Sequence, residues 1–153
     1  MSASWPVSTP MPKTPINKTR PDWWPAKDTE ICALCDIAPG AARGFTLTGE
    51  GAGDKLELII WRDDKGAAEV LRGFVNKCPH MGLPLETFPD RFLNAMGDGL
   101  ICSAHGAQFD ATGACFGGPC KGAVLISVQL IVQDRDNNKH IVLRPPAPHS
   151  ASA

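Results

Sequence analysis

Two short runs constrain this chain more than anything else in it: Cys78-Pro79-His80 and Cys102-Ser103-Ala104-His105. Each sets one thiol and one imidazole two or three residues apart. A glycine follows each, directly at Gly106 and one residue later at Gly82. Ligands so close in sequence need a tight loop, because an extended strand sends successive side chains to opposite faces. Two such loops can grip one small inorganic group from opposite sides. Residues 81–101 lie between them, enough to leave the first loop, form a short hairpin and return. The chain has 4 histidines, and His140 and His149 belong to no such grouping. The candidate metal ligands are therefore Cys78, His80, Cys102 and His105.

Two thiolates and two imidazoles suit a [2Fe–2S] cluster, with sulfur on one iron and nitrogen on the other. A Cys2His2 set also suits tetrahedral structural zinc, which would make the chain a zinc-stabilised binding module. Zinc sites more often pair Cys with Cys and His with His, whereas each loop here mixes the two. A Gly-Gly-Pro stretch, which zinc does not require, also follows the second loop. The cluster is the favoured reading.

At 153 residues and 43% hydrophobic, the chain suits one domain with a buried core and a tail. A net charge of -1 and the lack of a basic block exclude a nucleic-acid partner. No apolar run approaches the roughly 18 residues of a membrane span. The N-terminus has neither an apolar signal core nor a twin-arginine pair. Lys13, Lys18 and Arg20 without an acid faintly suggest a transit peptide, but Pro6, Pro10, Pro12 and Pro15 oppose the helix that one needs. A cytoplasmic location is expected.

Residues 1–27 are rich in Pro, Ser and Thr and read as an extended arm carrying Trp5, Trp23 and Trp24. The tryptophans either lie along the body of the same chain, the simpler reading, or dock a partner. From residue 28 to 144, strand signals dominate: Glu30–Leu34, Phe45–Leu47, Leu56–Trp61, Val70–Asn76, Val124–Val132 and His140–Leu143. Turn-forming runs separate them, and the last two read as a hairpin across Asp134–Lys139. No long helix is indicated. The expected fold is all-β, an antiparallel sandwich or partly open barrel. Residues 78–121, dense in Gly and Pro, read as a smaller cluster-binding subdomain inserted into it. Residues 145–153 form a tail.

The segments CPHMGLPLE and CSAHGAQFDATGACFGGPC resemble the Rieske family, and the resemblance extends over roughly residues 28–144. It implies one [2Fe–2S] cluster per chain, with Met81, Leu83, Ala104 and Pro119 beside the four ligands. Gly117-Gly118-Pro119 resembles the proline loop that covers the cluster in that family. The histidine rings would face solvent, where a redox partner can touch them. Respiratory members carry a serine and a tyrosine that donate to the cluster sulfurs, and a disulfide between the ligand loops. The matching positions here are Ala107 and Phe109, and Leu83 and Ala104, and the chain has no tyrosine at all. It looks instead like the soluble ferredoxins that feed ring-hydroxylating oxygenases, or like the small subunit of assimilatory nitrite reductases. The first likeness implies a mobile one-electron carrier between a reductase and an oxygenase, and the second a fixed electron-transfer subunit. Neither implies an enzyme in its own right, and no second His/His/carboxylate set exists for a mononuclear iron. The stretch Pro89–Leu93 makes the inter-loop segment longer than in compact members. The oligomeric state is left open.

Four further cysteines need sorting. Cys32 and Cys35 lie in a run that alternates like a strand, where cysteine is usually a small buried hydrophobe. A redox Cys-x-x-Cys would open a helix, and Asp36–Gly40 reads as a turn. Cys115 and Cys120 bracket Phe116–Pro119, and a disulfide between them is weighed against free thiols, which a reducing compartment favours.

Overall fold

The run Leu56–Trp61 becomes the middle of a strand covered on both faces, and the rest of the molecule is arranged around it. The computed structural model describes residues 21, 23–79, 82–86, 90–103, 106–119 and 121–146. Its strands are β1 (Thr29–Ala33), β2 (Ala42–Thr48), β3 (Lys55–Asp63), β4 (Val70–Val75), β5 (Leu100–Ile101), β6 (Gln108–Phe109), β7 (Cys115–Gly117), β8 (Ser127–Arg135) and β9 (Asn138–Arg144). Six of them form one antiparallel sheet in the order β1-β9-β8-β4-β3-β2, and a three-stranded sheet runs β5-β6-β7. The larger sheet curls like a partly open barrel and the fold is all-β. Among the described residues, no helix is long and apolar enough to cross a membrane.

Side chains alternate along β3, so its two faces serve two cores. Leu56, Leu58 and Ile60 pack with Ile37, Ile141 and Leu143 inside the curl of the large sheet. Ile59 and Trp61 pack on the other side with Phe74, Leu85, Phe92, Leu100, Phe109 and Leu125, together with Cys78 and Cys102. Each such side chain contributes about 1.5–3 kcal/mol on burial. The second core therefore ties the small sheet and both cysteine-bearing loops to the frame.

The expected strands appear with shifted ends. β2 begins at Ala42 because Ala42 pairs with Trp61, extending the ladder past the apolar stretch Phe45–Leu47. The strand read over Val124–Val132 starts only at Ser127. Val124 instead bridges Ala114, and Leu125 N–H donates to Gly113 O at 2.8 Å, so both residues close off the small sheet. The hairpin turn tightens to Asp136-Asn137, with φ of 52 and 68°. Both angles are left-handed, as a two-residue turn between twisted strands requires and as Asp and Asn tolerate.

β1 stops at Ala33, and Leu34–Asp36 form a 3-10 turn instead of continuing the strand. The Asp36 carboxylate accepts the Ala33 N–H at 3.0 Å and pulls the chain round. Cys35 is consequently exposed rather than buried, while Cys32 stays buried. The seam between β1 and β2 is bridged by Arg62 of β3, whose Nη1 donates to Leu34 O at 3.3 Å and Ile37 O at 2.6 Å. Trp23 and Trp24 pack against the inner core of the curl, along the body of their own chain. A Cβ on Gly49 would come within 2.6 Å of the Trp23 ring. Trp5 lies outside the described residues.

Candidate metal centre

The first loop leaves the end of β4. Asn76 N–H donates to Glu57 O at 2.9 Å, and Lys77 N–H then reaches back to Val75 O, which turns the chain out of the sheet. Cys78 follows, 1% exposed. Its N–H donates to Leu83 O at 2.7 Å, and Gly82 N–H donates back to Cys78 O at 2.6 Å. The second loop leaves the end of β5 and repeats the pattern. Cys102, 0% exposed, donates its N–H to Ala107 O at 2.8 Å, and Gly106 N–H returns to Cys102 O at 2.8 Å. Counted from the cysteine, both loops place glycine at the fourth position and the closing carbonyl at the fifth.

The two glycines share one conformation, φ 75° at Gly82 and 77° at Gly106. That left-handed turn suits glycine and lets each loop fold back over its own cysteine. The sequence shows the shared Cys-x-x-x-Gly register directly. Counting from the histidines, at the second position in one loop and the third in the other, hides it. The loops are joined by Ser103 N–H donating to Leu85 O at 2.8 Å.

A third segment closes over the second loop. Gly118 has φ 91°, and a Cβ there would stand 2.6 Å from Ala107 Cα and 3.1 Å from Gly106 O. The Gly-Gly-Pro turn thus lies directly on ligand-loop backbone, and Pro119 is exposed at its tip. Cys115 N–H donates to Ala123 O and Gly122 N–H to Cys115 O, so the segment leaves and returns at one place. The Cys115 thiol is buried and donates to Gly117 O at 3.1 Å. Cys120 lies outside the described residues.

Of the predicted site residues, the structure brings Cys78 and Cys102 into one core. Leu83 contributes its carbonyl to the first loop and turns its side chain outward, 46% exposed. His80, Met81, Ala104 and His105 lie outside the described residues. Ala107 and Phe109 are fully buried beside the cysteines and bring no hydroxyl. Two sulfur donors on matched, glycine-closed loops fit iron, whose clusters are held by thiolates.

Sequence reasoning missed several supports. Asp110 forms the turn between β6 and β7, accepting from the Thr112 hydroxyl, Thr112 N–H and Ala114 N–H. The Thr112 hydrogen bond, with these backbone donors, holds its carboxyl below the usual range despite partial burial. The Asp-x-Thr-Gly run was the available signal. Asp90, at φ 60°, accepts Gly44 N–H at 2.9 Å and ties the long inter-loop segment to the edge strand β2. Buried Asn76 bonds Leu85 and Glu86, and nothing local in the sequence marks it. Elsewhere, burial and the nearby Asp36 push the Cys32 thiol up to about 11. A thiol with so little thiolate character is a poor redox nucleophile.

The ferredoxin of carbazole 1,9a-dioxygenase from Nocardioides aromaticivorans IC177 has a similar fold, with a TM-score of 0.52 at 19% identity over 79% of this chain and 100% of that one. A Sphingomonas yanoikuyae B1 ferredoxin also superposes with a TM-score of 0.52, at 19% identity over 79% of this chain and 99% of that one. At such identities the likeness speaks for the fold. No curated protein matches the chain in sequence. The family model described as Rieske [2Fe-2S] domain matches residues 27–133. That is well over half of the sequence, so the chain belongs to the Rieske [2Fe–2S] domain family and its cofactor is a [2Fe–2S] cluster.

Proposed function

We propose that this chain is a one-electron carrier delivering electrons from a reductase to an oxygenase. Cys78 and Cys102 would hold one iron of the cluster, and His80 and His105 the other. Residues 78–121 would act as its cluster-binding subdomain. The bound cluster supplies one-electron exchange. The protein's part is to hold the donors, keep the sulfur side dry and set the potential. The observation that carries this reading is the identical backbone closure of the two cysteine loops, one of them capped by Gly118.

The carrier role is supported by the fold shared with a protein named as the ferredoxin of a dioxygenase, whose whole length this chain spans. It is also supported by Ala107 and Phe109, which offer the cluster no hydroxyl, unlike the respiratory pattern. An exposed Cys35 thiol suits a reducing, cytoplasmic setting.

The test is reconstitution. Catalytic amounts of the iron-loaded protein should couple NAD(P)H oxidation by a flavin reductase of the same cell to reduction of a terminal ring-hydroxylating oxygenase. Co-elution as a stoichiometric subunit of a larger oxidoreductase, with no turnover as a free carrier, would overturn the carrier reading.

A further inference from the structure

The geometry points to Asn76 as a positioning residue that sets the spacing of the two ligand loops, an inference that rests on Cys78 and Cys102 sharing one cluster. Asn76 sits just past β4 and two residues before Cys78. It is 4% exposed, one of 2 buried polar or charged residues, with Asp63, among those described. Its backbone N–H is anchored on Glu57 O of β3 at 2.9 Å. Its side-chain oxygen accepts the Leu85 N–H at 2.8 Å, and its Nδ2 donates to Glu86 Oε1 at 2.8 Å. Every polar group of the side chain facing the loop is thus committed.

Leu85 is itself fully buried, and its carbonyl accepts the Ser103 N–H at 2.8 Å. Ser103 is the residue after Cys102. Among the described residues, this is the backbone hydrogen bond that joins the two ligand loops. A relay therefore runs from the frame through Asn76 to Leu85, and from Leu85 to the second cysteine loop. The chain enters the first cysteine loop only two residues after Asn76. One buried amide thus fixes both loops relative to the same strand.

Such a residue touches no metal, yet it governs how well two loops meet one. Partners that orient metal ligands typically change metal affinity about 10–100-fold when removed. Truncating the amide leaves the buried Leu85 N–H without its acceptor. The relay can also be rebuilt in reverse. Asn76→Asp combined with Glu86→Gln exchanges the amide and the carboxylate at constant net charge. An oxygen still faces Leu85, and the second bond then runs from position 86 to position 76.

The experiment compares the iron-loaded wild type, Asn76→Ala and the Asn76→Asp/Glu86→Gln pair. Iron release to a chelator, the electron paramagnetic resonance spectrum of the reduced protein, and the far-ultraviolet β signal are recorded for each. Asn76→Ala should release iron about 10–100-fold faster and shift the resonance while keeping its β signal. The exchanged pair should recover the wild-type rate and spectrum. Wild-type release from Asn76→Ala would overturn the assignment. So would an exchanged pair that keeps its β signal yet releases iron as fast as Asn76→Ala. If Asn76→Ala does not fold, the exchanged pair decides alone, and its failure to fold as well would assign Asn76 to the frame only. A wild type that holds no iron would instead refute the cluster reading beneath the inference.

Discussion

Gly118 lies against Ala107 so closely that a Cβ on the glycine would stand 2.6 Å from the alanine Cα. The neighbour is backbone, which cannot swing aside, and φ at Gly118 is 91°. Gly122 has a similar φ of 97° but nothing within 4 Å of a built Cβ. The pair separates conformational strain from steric contact.

Gly122→Ala should carry only the left-handed penalty of about 1–2 kcal/mol. Gly118→Ala should carry that and a further overpacking cost of about 1–3 kcal/mol. Denaturant unfolding of the two variants measures the difference. Equal losses would show that the Gly-Gly-Pro turn does not bear on the ligand loop.

The potential follows from what Ala107 and Phe109 lack. With no hydroxyl at either buried position, the cluster should sit near the low Rieske limit of about −150 mV. Ala107→Ser with Phe109→Tyr should raise it, provided the new hydroxyls reach the sulfurs. Protein-film voltammetry measures both. A wild-type value above about +150 mV, in the upper part of the Rieske range, would contradict the argument.

Much of the frame could be read in advance because burial imposes a pattern. β3 is apolar on both faces since both are covered, and the Asp136-Asn137 turn carries residues that accept left-handed angles. The strands of the small sheet are two or three residues long, too short to show a period. Val124 resembles a strand start but bridges Ala114 instead, a choice of partner that local propensity cannot register. At the site, the cysteines and glycines of both loops were visible. The Asn76–Leu85–Ser103 relay was not, because it joins three segments through bonds that tertiary packing alone brings together.

Cys32 makes stability sensitive to alkali. Burial, with Asp36 nearby, raises its folded pKa to about 11, above the value of 9.0 for an unperturbed thiol. Below both values the thiol is neutral in either state, so its full contribution is present. As pH rises from the lower value through the upper one, the unfolded state loses its proton first and stability falls. Urea midpoints at about pH 8 and about pH 10.5 should show this decline, and Cys32→Ala should reduce it. An unchanged slope in the variant would refute the assignment to Cys32.

Iron and acid-labile sulfide analysis of the purified chain decides whether these loops hold a [2Fe–2S] cluster. Two irons and two sulfides per chain are expected, in a coloured protein that loses both with Cys102→Ala. One zinc per chain, in a colourless protein without sulfide, would contradict it.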